Sequence, residues 1–215
     1  MTNTMLILMY VAIALVCSRI PYLRVYFSLC NTLLQQVVCV CLEGGITNKI
    51  KLHKDGSSET TNNVNSPFKK ALIAYAGYTG TLIAAIGLFY FVSKGNYHII
   101  IYLVSGLVGI SLLLWIRSLF GLIWGLSFLC VLAVPIYFKY EAIVVHISIF
   151  LASVMFIQSL MNALQVCKQS FLSRENPARK AAIVQTKFFP AMILGFVLLG
   201  QSLYAGYFIF KNFLS

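Results

Sequence analysis

The chain has 215 residues, 60% of them hydrophobic and only 10% charged. A soluble domain of this length would need roughly 25% charged residues to clothe its surface, so a water-exposed globule is excluded and a single polytopic transmembrane domain over 1–215 is expected. The net charge of +11 arises from 16 Lys and Arg against 5 Asp and Glu, and the basic residues fall mostly in short connections between apolar runs, which points to anionic headgroups and topology and not to nucleic acid.

The first apolar run covers about Thr4 to Cys17 and stops at Ser18, Arg19 and Pro21. It has no positive n-region and no small-residue cleavage site, so an uncleaved membrane helix is expected. The second run begins near Arg24 and ends at Glu43-Gly44-Gly45; it is short and polar on one side, which suits a helix buried among others. A segment over 44–70 follows as a hairpin and loop insertion. Within it, Ile46, Asn48, Ile50 and Leu52 partly alternate with Lys49, Lys51 and His53, and Asp55-Gly56 is a turn signal. That pattern predicts a small β-hairpin at about 46–60.

A third run, Ala71 to Val92, is long enough to cross the hydrocarbon. Its ALIAYAGYTGTLIAAIG portion is rich in small residues that let helix backbones approach closely. Runs at Ile99–Ile116 and Leu119–Phe138 are divided by Arg117-Ser118, and two more cover Ala142–Leu164 and Phe188–Phe210. Between the last two, 165–187 reads as a basic surface connection. The expected fold class is therefore an all-α polytopic membrane protein with six or seven transmembrane helices and a small β-hairpin insertion after the second.

Six cysteines, Cys17, Cys30, Cys39, Cys41, Cys130 and Cys167, lie within or at the edges of apolar segments, where thiols act as small hydrophobes. Cys39 and Cys41 are two apart and project to different sides of a helix, which disfavours a thiolate metal site. His53, His98 and His146 are scattered. His53 reads as a solvated strand residue, His98 as interfacial, and His146 as a core histidine. Arg117 is placed to snorkel from a tight turn. No Asp or Glu lies well inside an apolar run, which argues against proton or cation transport.

The most informative feature is a polar row in the second run: Asn31, Thr32, Gln35 and Gln36. Polar groups at membrane depth face another helix or a pocket and not lipid. Two readings stand: interhelix hydrogen bonds that hold the bundle together, or a recognition surface or polar ligand site. With Asn162, near the end of a later membrane helix, the row makes a candidate polar groove.

Four landmarks extend the reading: GGITNKIKLHKDGS at 44–57, AYAGYTGTLIAA at 74–85, IRSLFGLIWG at 116–125 and QSLMNALQVCKQSF at 158–171. In this order and at this spacing the chain resembles the M50B-like branch of the site-2-protease superfamily, intramembrane zinc metallopeptidases. The resemblance implies a site-2-protease-like core. It would place the first zinc-binding histidine at Asn31, the general-base glutamate at Thr32 and the second histidine at Gln35. The i and i+4 spacing suits two ligands on one face, but neutral amides are poor zinc ligands and threonine cannot replace a carboxylate base. The family's third ligand, an aspartate, would fall in RENPARKAAIVQ, where Pro177 and Ala178 stand and Glu175 is the nearest carboxylate.

The resemblance and its departures imply a catalytically inactive pseudoprotease with no cofactor and no metal, embedded in the bilayer and binding or scaffolding another membrane protein. Two alternatives remain: a residual metalloprotease with unconventional ligands, and a small transporter-like subunit.

Overall fold

A computed structural model of the chain describes residues 3–43, 50–52, 58–60, 67–172 and 191–214. The helices are α1 (Asn3–Cys17), α2 (Pro21–Glu43), α3 (Pro67–Ser93), α4 (Tyr97–Leu114), α5 (Leu119–Tyr137), α6 (Glu141–Leu172) and α7 (Ala191–Ile209), the last continuing into a π-helical turn at Phe210–Leu214. Strands β1 (Ile50–Leu52) and β2 (Ser58–Thr60) lie between α2 and α3. They pair antiparallel, with Ile50 opposite Thr60 and Leu52 opposite Ser58.

Two corrections to the expected fold class follow. Among the described residues five helices, α2 to α6, are long and apolar enough to cross a membrane, not six or seven. With 15 residues, α1 is too short for a hydrocarbon core of about 30 Å at about 1.5 Å per residue. The β-hairpin insertion at 46–60 is also corrected, because the described residues form no separate insertion. Each strand has only three residues, and β1 is part of the bundle core. Ile50 and Leu52 are 0% and 2% exposed. The Ile50 N–H donates to the Trp115 carbonyl at 2.9 Å, and the Leu52 N–H donates to Ser118 Oγ at 3.2 Å. Ser118 also caps α5 by accepting from the Gly121 N–H at 3.2 Å. Residues 46–49 and the Asp55-Gly56 turn lie outside the described residues.

The five long helices make this a multi-pass integral membrane protein. Large apolar side chains such as Leu113, Leu119 and Ile123 are exposed, as expected where the solvent is hydrocarbon. In lipid no hydrophobic force draws helices together, so close packing and internal polar contacts must do so. The α2–α3 crossing shows the first. A Cβ at Gly77 would stand 2.7 Å from Cys39 Sγ and 3.1 Å from the Gln35 carbonyl, and one at Gly80 would stand 2.9 Å from Val38 Cγ2. Only glycine permits that approach.

At 32 residues α6 is the longest helix, and it packs against all six others. The helix continues past the apolar run, which ends near Leu164, to Leu172. Small residues at its centre, Ser148, Ala152 and Ser153, are fully buried and let neighbours converge on it. Trp124 joins α5 to α2 by donating its Nε1–H to the Tyr26 carbonyl at 3.0 Å. Helices α2, α3 and α6 thus bring the polar row of α2 into the middle of the bundle.

Candidate functional site

On α2, Asn31 and Gln35 stack one turn apart on one face, yet they address different neighbours. Asn31 is fully buried and accepts a hydrogen bond at its Oδ1 from Ser159 Oγ of α6 at 3.3 Å. Its Nδ2 is also buried and has no hydrogen-bond partner among the described residues. Gln35, half-buried, lies against α3, where its side chain is hydrogen-bonded to the Tyr78 phenol. The glycine at 77 makes this possible by letting the two backbones close.

The polar contacts continue along α3 to α7. Gln201 Nε2 donates to the Tyr75 hydroxyl at 2.5 Å, and Thr79 Oγ1 donates to the Tyr75 carbonyl at 3.0 Å, with Gln201 Oε1 3.5 Å away. The rings of Tyr75 and Tyr78 pack on Ala163, Val166 and Leu198. A seam of hydroxyls and amides therefore ties α6 to α2, α2 to α3 and α3 to α7 at membrane depth.

Thr32, Gln36 and Asn162 are each half-buried. Asn162 lies about one turn beyond Ser159 on α6, and it is Ser159 that meets Asn31. The residues the sequence reading did not single out are Ser159, Tyr75, Tyr78, Thr79 and Gln201. Three of them carried a signal: Tyr75, Tyr78 and Thr79 are spaced i, i+3, i+4 and so share one helical face.

Among the described residues the histidines and cysteines do not gather into one cluster of three or more. His98 Nε2 is 3.0 Å from Glu141 Oε2, an exposed pair joining the start of α4 to the start of α6. His146 is exposed and lies 5.8 Å from the Tyr10 ring, so the expected core histidine is corrected to a surface one. Cys39 Sγ donates to the Ile73 carbonyl at 3.6 Å, while Cys41 is exposed. His53, Glu175, Pro177 and Ala178 lie outside the described residues.

A zinc site needs imidazole, thiolate or carboxylate donors arranged about one point. Among the described residues no group of three or more His, Cys, Asp or Glu side chains could hold a metal ion. Asn31 and Gln35 offer neutral amides already engaged by Ser159 and Tyr78. These two donors do not fit zinc, and what the arrangement does well is hold helices by hydrogen bonds.

A family model described as Peptidase M50B-like matches residues 6–208. No curated protein and no solved structure matches the chain.

Proposed function

Because this chain belongs to the Peptidase M50B-like family, we propose that it is a catalytically inactive member, a pseudoprotease that binds or scaffolds another membrane protein. The observation that carries this reading is the state of Asn31. At the position where the resemblance calls for a zinc-binding histidine, a buried carboxamide accepts a hydrogen bond from Ser159. That oxygen serves the bundle, and the nitrogen beside it is a donor with no lone pair for a metal.

The neighbouring positions support the same reading. Thr32 would stand where the general base belongs, and a neutral hydroxyl does not take a proton from a metal-bound water. Gln35 would stand at the second ligand and is bonded to Tyr78. The polar side chains that remain are suited to helix association, since amides and hydroxyls at membrane depth find partners on other helices. Thr32, half-buried on α2, offers such a hydroxyl where α2 meets its surroundings. The partner proposed here is a membrane protein with a helix packed against α2 and α3.

In-membrane photocrosslinking from position 32, with a photoreactive residue in place of Thr32, tests the binding role. A discrete adduct with a second membrane protein, insensitive to chelators, is expected. Adducts with lipid alone, or chelator-sensitive cleavage of a helical substrate, would contradict the proposal.

A further inference from the structure

Away from the polar seam, α2, α3, α4 and α6 surround a cavity of about 140 Å³. Cys30, Gly87, Phe91, Leu103, Leu107 and Met155 line it, and no lining side chain carries oxygen or nitrogen. A Cβ added at Gly87 would meet nothing within 4 Å, so the open space reaches the α3 backbone. Water needs about two to four polar partners to occupy a cavity, whereas an apolar cavity of about this size stays dry and takes apolar guests. Leu103 is 50% exposed while also lining the cavity. The mouth therefore faces hydrocarbon, and the apolar guest at hand is lipid.

Depth and charge narrow the guest further. Helices α2 and α3 run antiparallel: Cys39 and Gln35 face Gly77, while Cys30 shares the cavity with Gly87. The start of α2 and the end of α3 consequently lie at one end of the bundle, where Arg24 and Lys94 are both exposed. Gly95, with φ 73°, turns the chain from α3 into α4 just after Lys94. Lys94 Nζ stands 5.8 Å over the Tyr90 ring, which holds its charge at the tip of α3. Counting from Lys94 along α3, the lining residues lie about 5–15 Å deep at about 1.5 Å per residue. That is the depth of one leaflet's acyl region, about half of a 30 Å hydrocarbon core. Glu141, the carboxylate near the start of α4, is held by His98 at 3.0 Å.

We propose that this cavity holds a segment of one acyl chain of an anionic glycerophospholipid whose headgroup sits at Lys94 and Arg24. The chain enters past Leu103 and lies against Gly87 and Met155, and the phosphate meets the two cations at the end of the bundle. Such a lipid would brace α4 against α2 and α3 where protein atoms leave the gap. Its binding does not depend on whether the α2 seam has any peptidase chemistry.

The test is to place the full chain in nanodiscs containing phosphatidylglycerol with a diazirine-bearing acyl chain, or the matching phosphatidylcholine, and to map the adducts by mass spectrometry. Adducts are expected on the buried Cys30 and Met155 in excess of those on the lipid-facing Leu113. Phosphatidylglycerol should be favoured by about thirtyfold, about fivefold for each of the two cations near the headgroup, and Lys94→Gln should cut that preference to about fivefold. Gly87→Leu should fill the cavity and abolish the adducts on the buried Cys30 and Met155 while leaving those on Leu113. Equal labelling of the buried Cys30 and Met155 and the outer Leu113, or adducts on Cys30 and Met155 that survive Gly87→Leu, would mean bulk lipid only and overturn the proposal. A headgroup preference that is absent, or unchanged in Lys94→Gln, would overturn the assignment of Lys94. A crosslinked polypeptide at Leu103 would give the cavity to a partner helix or a second copy and overturn it as well. If Gly87→Leu fails to fold, the ratio of lining to outer adducts in the native chain decides the matter.

Discussion

Asn31 on α2 and Ser159 on α6 meet in the buried centre of the bundle, with the serine hydroxyl donating to the carboxamide oxygen at 3.3 Å across 128 residues of sequence. The bond satisfies half of the asparagine and leaves its buried Nδ2 without a partner among the described residues. A helix that must be packed at this point is therefore carrying a polar group that is only half compensated. Leaving a donor unmade in a buried setting costs about 1–3 kcal/mol.

Replacement of either residue should expose that imbalance. Ser159→Ala is expected to lower stability by about 0.6 kcal/mol, the average of interhelix hydrogen bonds in membranes. Asn31→Leu removes the acceptor and the unpaired donor together and is expected to be neutral or stabilising. The two substitutions should be less than additive, because they share one contact. Reversible unfolding in mixed micelles measures all three, and a large loss on Asn31→Leu would mean that the amide itself is required.

Two glycines of α3 should respond with opposite signs. Gly77→Ala forces a methyl to within 2.7 Å of Cys39 Sγ and 3.1 Å of the Gln35 carbonyl, and overpacking of this kind costs about 1–3 kcal/mol. Gly87→Ala meets nothing within 4 Å and gains about 1 kcal/mol of helix propensity. Melting temperatures of the two variants in the same detergent check the contrast.

Much of the helical layout could be read from hydropathy, because runs such as Leu119–Phe138 are apolar throughout and end at charged or turn residues. The observed α5, Leu119–Tyr137, ends within one residue of that run. The end of α6 was not legible, since Gln165 to Leu172 mix polar and apolar residues and are helical in the structure. The short strands illustrate a second limit. The local alternation around Ile50 identifies extended chain, but its burial depends on the Trp115 carbonyl 65 residues away. For the polar seam, the apolar surroundings made Asn31 and Gln35 conspicuous. Their partners Ser159 and Tyr78 are ordinary residues for a membrane helix and become visible only once α2, α3 and α6 are packed together.

The docking of β1 gives a local prediction. Ser118 Oγ accepts from the N–H groups of both Leu52 and Gly121, so Ser118→Ala should cost about 1 kcal/mol as a lost helix cap. Hydrogen exchange should quicken at the Leu52 and Gly121 amides and stay unchanged at the centre of α6. Ser118→Thr, which keeps the hydroxyl, should restore protection. Unchanged exchange at Leu52 in Ser118→Ala would show that the strand is held without the serine.

On the proposed reading, the polar row of α2 joins helices and its neutral amides leave zinc unbound. Zinc content of the purified, tag-free protein, measured by elemental mass spectrometry beside an Asn31→Ala/Gln35→Ala double variant, tests it most directly. The prediction is less than about a tenth of an equivalent in both proteins, as expected of amide donors. Near one equivalent in the native chain, lost in the double variant, would contradict it and make this protein a metalloenzyme with unusual ligands.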